Sequence, residues 1–125
     1  MASVKLYDKT GDAKAIRIQE KLENNFGFLP QTFQAMGRSG EFLEKLLSLS
    51  EAAGKNLEPK TKELIAIAVS AANGCEYCVS AHRAAALQLG VTDEEITGAL
   101  EVAAQMSAFN TFNKAIGLDL DLKAK

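Results

Sequence analysis

The chain has 125 residues, enough for one domain (residues 1–125) with a buried core. It is 47% hydrophobic and 24% charged with a net charge of −2, and its basic residues are not clustered, which argues against a nucleic-acid-binding surface. No apolar run reaches the roughly 18 residues needed to cross a bilayer, and Met1 to Thr10 lacks the apolar core of a signal peptide, so a cytosolic protein with no membrane partner is expected.

Read in chain order, the segments form helices separated by short breaks. Asp12 to Asn25 carries Ala15, Ile16, Ile18 and Leu22 at helical spacing and ends near Gly27. Pro30 can open a short helix that stops at Gly37. Ser39 can cap the next helix, Gly40 to Ala53, with Phe42, Leu43, Leu46, Leu47 and Leu49 on its buried side and Gly54 as its stop.

Glu58-Pro59 starts a helix that runs to Asn73-Gly74. From Leu64 to Ala72 it is apolar on nearly all sides and is expected to be central and buried. A further helix is expected from about Cys75 to Leu89, stopping at Gly90. Thr92 with Glu95 makes a capping-box pattern that opens the last long helix, to about Ile116, with Gly117 as its stop. Met36 and Met106 are expected in the core, and Phe26, Phe28, Phe33, Phe109 and Phe112 in the core or an interface. The tail from Leu118 is expected to be loose, with leucines able to dock on a neighbour. No segment shows the two-residue alternation of a strand. The expected class is all-α, with about six helices and a central helical hairpin.

The stretch "NGCEYCVSAH", residues 73–82, holds both cysteines and the one histidine of the chain. At about 100° per residue, Cys75, Cys78 and His82 fall within roughly 60° of helical arc. Their spacings of i, i+3 and i, i+4 put neighbours on one face. Cys75 falls at the first turn, where unpaired backbone N–H groups and the helix dipole favour a thiolate. A nearby imidazole can take the thiol proton. In the cytosol a persistent structural disulfide is disfavoured, so the cysteines are expected to be thiols, metal ligands or a redox pair.

Glu63 joins this group if the chain reverses at Asn73-Gly74. It lies ten residues before Asn73, and His82 lies eight after Gly74. At about 1.5 Å per residue the two are nearly level across the hairpin. The apolar run that follows Glu63 is expected to carry its carboxylate into a dry region, where it can move protons near neutral pH.

The pattern Glu63, eleven residues, Cys75, two residues, Cys78, three residues, His82 resembles the E-x11-C-x2-C-x3-H signature of AhpD-like alkylhydroperoxidases, in the carboxymuconolactone decarboxylase superfamily. "FGFLPQTFQAM" also resembles a segment upstream of that signature, and the likeness covers roughly residues 25 to 115. The resemblance implies an AhpD-like helical fold, assembled as trimers or hexamers, and hydroperoxide reduction or thiol–disulfide exchange. It implies Cys78 as the attacking sulfur, Cys75 as the resolving one, and His82 with Glu63 as a proton relay. The best-known members have a histidine just before the second cysteine. Here that position is Tyr77, which can donate a hydrogen bond but is a poor base at pH 7 and is at most an accessory group. Disulfide reduction should be less sensitive to that change than peroxidase activity.

Other readings stand beside this one. Two cysteines on an Ala-rich helix can be core filler, and Glu63 near a helix start can be a surface residue that complements the dipole. The C-x2-C-x3-H group could hold zinc with Glu63 as a fourth ligand, but ligands from one helix face wrap a tetrahedral ion poorly and no second Cys/His pair exists. The pair could also serve a redox-sensing interaction protein without turnover, while lactone decarboxylation rests on superfamily membership alone. The expectation adopted is a dithiol enzyme with no bound cofactor or metal. No Gly-rich dinucleotide fingerprint is present, so electrons must come from an external dithiol or a protein reductant of lipoyl or thioredoxin type. Several apolar helix faces leave more hydrophobic surface than a chain of this length can cover, which points to a homo-oligomer.

Overall fold

A computed structural model describes residues 1–124. All regular elements among these residues are helical. The chain divides into two compact units, Met1–Lys55 and the segment from Asn56 onward.

In the first unit α1 spans Ala13–Phe26, α2 Gln31–Ala35 and α3 Gly40–Ala52, with a 3-10 turn at Met36–Arg38 between the last two. Asp12 sits at the junction. Its carboxylate accepts the Ala15 N–H as the cap of α1 and the Gly40 N–H at the start of α3. Those bonds, Gly40 first and Ala15 second, hold its carboxyl below the usual carboxylate range. Gln19 is fully buried and pins the N-terminal stretch. It accepts from the Lys9 N–H and donates to the Tyr7 and Phe33 carbonyls. Gly11 must be glycine because a Cβ there would stand 1.7 Å from the Gly37 carbonyl oxygen.

α3 starts where expected, with the Ser39 hydroxyl accepting the Phe42 N–H. Its buried stripe is narrower than expected. Leu43 is fully buried and Leu46 and Leu47 are half-buried, but Phe42 and Leu49 are exposed. Helical geometry explains this: Leu46 and Leu47 lie within about 60° of Leu43 around the axis, whereas Phe42 and Leu49 lie about 100° or more away.

In the second unit α4 spans Pro59–Ala72, α5 Glu76–Gln88 and α6 Asp93–Asn113. Pro59 occupies the first turn of α4, where its missing N–H costs nothing. α4 ends at Asn73, and Gly74 reverses the chain with a φ of 77°. The Cys75 N–H returns to the Ser70 carbonyl and seals the turn. α5 ends at Gly90, and the Thr92–Glu95 capping box opens α6 with both reciprocal bonds formed.

α4 packs on both α5 and α6. The core of this unit is Ile67, Ala86, Val91 and Ile96, with Leu64 packed against it. α4 was expected to be buried nearly all round. Only Ile67 is, while Ile65 and Val69 are about half exposed. Its two helical neighbours cover one side of it, and its apolar sequence extends beyond that side. Met106 is likewise exposed rather than core, as are Phe26, Phe28, Phe109 and Phe112, and Met36 is half-buried. α6 stops at Asn113, three residues short of Ile116, and a turn carries the chain to Gly117. Leu118, Leu120 and Leu122 follow, exposed and without regular structure.

Ile67 is the side chain on which the unit closes. Ile67→Ala is expected to cost about 2–5 kcal/mol of unfolding free energy, the transfer and cavity cost of a buried aliphatic truncation. Urea unfolding checks this; a loss near zero would show that the cluster around Ile67 does not hold the hairpin.

Candidate active site

The site is built where α4 turns into α5. Cys75 lies at the start of α5, as expected, and is its N-cap, with φ −93° and ψ 89°. Its sulfur takes the place of the usual capping oxygen and accepts the Cys78 N–H at 3.2 Å. One turn of helix then brings Cys78 back to it, with 5.3 Å between the Cα atoms, and the two sulfurs are bonded to each other. Both cysteines are partly exposed. The pair is held in its oxidised form in this structure, one of the states that a redox pair passes through. On reduction, the backbone N–H now directed at Cys75 and the positive end of α5 would favour a thiolate at that sulfur.

Glu63 and His82 meet across the hairpin. Glu63 Oε2 stands 2.7 Å from His82 Nδ1. The glutamate side chain is 19% exposed and the imidazole 42%, so the carboxylate is shielded but not dry, and the ring is open to reactants. An ionised carboxylate only accepts, so Nδ1 carries the proton it shares with Glu63. The neutral ring then offers Nε2 as its free base. His82 lies four residues after Cys78 on α5, on the same face. Tyr77 is half exposed beside the pair.

A second feature flanks the disulfide. An open groove of about 450 Å³ runs beside Cys75, between Ala71 of α4 and Gly74 of the turn on one side and Glu76, Val79, Ser80 and Arg83 of α5 on the other. Arg83 reaches Asp93 at the start of α6, at 3.6 Å, a pair exposed on both sides and therefore weak. Sequence reasoning did not find the groove. The i, i+3 and i+7 spacing of Glu76, Val79 and Arg83 was there to be seen, yet no chemistry sets those residues apart. Among the described residues, no group of three or more His, Cys, Asp or Glu side chains is placed to hold a metal ion, and no helix is long and apolar enough to cross a membrane.

Comparison with known proteins gives three results. The model of the carboxymuconolactone decarboxylase family matches residues 40–119. Among relatives, a Paracoccus denitrificans protein known as uncharacterized protein 4 in cox locus is 34% identical over 99 residues, covering 72% of this chain and 89% of that one. The alkyl hydroperoxide reductase AhpD of Corynebacterium aurimucosum is 40% identical over 62 residues, half of this chain but only 35% of that protein's length. Among solved structures, the alkylhydroperoxidase AhpD core from Rhodospirillum rubrum superposes with a TM-score of 0.79 at 25% identity, over 97% of this chain and 95% of that one.

The Glu63–His82 bond fixes the imidazole tautomer. Nitrogen-15 NMR of the histidine ring above neutral pH should show the Nδ1–H form dominant, and Glu63→Gln should return it toward the ordinary tautomer mixture. A dominant Nε2–H form in the parent protein would contradict the geometry.

Proposed function

The chain belongs to the carboxymuconolactone decarboxylase family and has an AhpD-like all-helical fold, and from that premise we propose that it is a CxxC dithiol oxidoreductase that reduces hydroperoxides or small disulfides. One observation carries the proposal: two bonded sulfurs at a helix start, within a turn of a histidine that is itself held by a glutamate. The AhpD relatives, named as alkyl hydroperoxide reductases, support the same reading.

In the proposed cycle His82 Nε2 takes the proton of the Cys78 thiol, and Glu63 stabilises the imidazolium that results. The Cys78 thiolate attacks a peroxide oxygen. The O–O bond breaks, the proton passes from His82 to the departing alkoxide, and Cys78 becomes a sulfenic acid. The Cys75 thiol then gives up its proton and attacks Cys78 Sγ; the S–O bond breaks, the disulfide forms, and the hydroxide leaves as water with that proton. With a disulfide substrate, the same thiolate forms a mixed disulfide that Cys75 resolves. The nucleophile assignment comes from the family resemblance. Tyr77, in place of the family's histidine, supplies a hydrogen-bond donor but no base at neutral pH, which favours disulfides over hydroperoxides as the faster substrates.

An external dithiol or protein reductant must return the pair to thiols after each turnover, which assigns the protein to a reducing compartment, the cytosol. The working form in this proposal is a homo-oligomer, a trimer or hexamer. The exposed Ile65, Val69, Leu87, Val102, Met106 and Phe109 of the second unit support that reading, since apolar surface on this scale marks contact faces. Light scattering should give a mass several times 13.4 kDa, and a stable 13.4 kDa species would contradict it.

Steady-state turnover of cumene hydroperoxide and of a small disulfide, with dihydrolipoamide as donor, tests the enzyme. Cys75→Ser and Cys78→Ser should each abolish turnover, and His82→Ala and Glu63→Gln should reduce kcat by about 10²–10⁴ and less, respectively, as expected for losing a general base and its holder. A readily reversible disulfide without turnover of either substrate would point instead to a redox sensor.

A further inference from the structure

We propose that the reducing thiol enters by the groove beside Cys75 and attacks Cys75 Sγ, so that Cys78 is the leaving sulfur. The inference rests on the reading of the pair as a redox centre and adds how its electrons arrive. The two sulfurs differ in their surroundings: the groove takes in Cys75 and leaves out Cys78, Tyr77 and His82. Val79 and Arg83 each follow Cys78 and His82 by one residue, so on α5 the groove wall is turned about 100° from the face that carries the relay. The disulfide therefore has an open side at Cys75 and a proton-handling side at Cys78. A dithiol of ordinary size fits a groove of about 450 Å³. Its hydrocarbon body can lie along Ala71 and Val79 while its far end reaches Ser80 and Arg83.

The chemistry balances with a dithiol donor. One donor thiolate attacks Cys75 Sγ, the Cys75–Cys78 bond breaks, and a donor–Cys75 mixed disulfide forms. Cys78 departs as a thiolate one turn from His82, which can relay to it a proton that the donor has released. The second donor thiolate then attacks the donor's own sulfur in the mixed disulfide, closing the oxidised donor and releasing the Cys75 thiolate. That thiolate leaves into the N–H of Cys78, the group that already points at its sulfur. Two electrons pass from donor to pair, and the two protons that the donor loses replace those that the cysteines need. The arrangement gives Cys75 stabilisation as a leaving group and Cys78 a proton source, matching the order in which the two are released.

The test reads the reduction step alone, so it does not depend on which oxidant the enzyme uses. The oxidised protein is mixed with dithiothreitol, and the rate of thiol appearance is measured for the parent, Ser80→Trp, Arg83→Trp and an off-groove control, Ala81→Trp. The groove variants should slow reduction by about tenfold or more, while the control stays within about twofold. Separately, the parent disulfide is exposed briefly to 2-mercaptoethanol, quenched with acid, and the adduct located by fragmentation of the tryptic peptide Glu63–Arg83. The adduct should sit on Cys75. An adduct on Cys78, or groove variants reduced as fast as the parent, would overturn the inference, and the adduct measurement on the parent stands even if a tryptophan variant misfolds. Reduction through Cys75 with no turnover of any hydroperoxide or disulfide would sink the enzyme reading and leave this inference in place.

Discussion

The reversal at Asn73–Gly74 sets every distance in the site. Gly74 takes a positive φ that a side chain would strain, and the Cys75 N–H bonds back to Ser70 across the turn. Without that turn, α4 and α5 would continue in line and carry Glu63 and His82 far apart, at about 1.5 Å of rise per residue. With it, the two meet at 2.7 Å. The same turn leaves Cys75 just outside the helix, where its sulfur acts as the cap and lies within bonding reach of Cys78. One backbone conformation thus presents the acid–base pair and the sulfur pair together.

The core behind this turn is small. Ile67, Ala86, Val91 and Ile96 are tightly buried, and much of the remaining apolar surface of α4 and α6 is open. In the proposed cycle the site exchanges thiols with outside partners, and lying at the end of a hairpin rather than within a core keeps both sulfurs reachable in turn. The open faces away from the turn carry no such chemistry. They are apolar, and in the proposed assembly they would bury much of what the single chain exposes.

Much of this was legible in the sequence because it was written in local signals. Asp12, Ser39, Pro59 and the Thr92–Glu95 box each mark a helix start by chemistry that acts within one turn, and each start lies there in the structure. Counting residues from Gly74 was enough to bring Glu63 level with His82, since a hairpin of regular helices has fixed rise. Burial was less legible. In α4 and α6 apolar residues occur all round the helix, so periodicity does not say which side is covered, and Ile65, Val69 and Met106 were expected inside but lie outside. Phe42 and Leu49 failed for a simpler reason: they sit too far round α3 from Leu43. The groove beside Cys75 could not be read at all, because it is a shape made by the turn and by ordinary residues rather than by a motif.

The most direct measurement of the central claim is a single turnover. Fully reduced protein is mixed with one equivalent of cumene hydroperoxide per chain, and free thiols, cumyl alcohol and the linkage of Cys75 and Cys78 are determined after quenching. The account predicts loss of both thiols, one alcohol formed per chain, and an intramolecular Cys75–Cys78 disulfide. Thiols that persist beside unreacted peroxide, together with the same inertness toward a small disulfide, would contradict it.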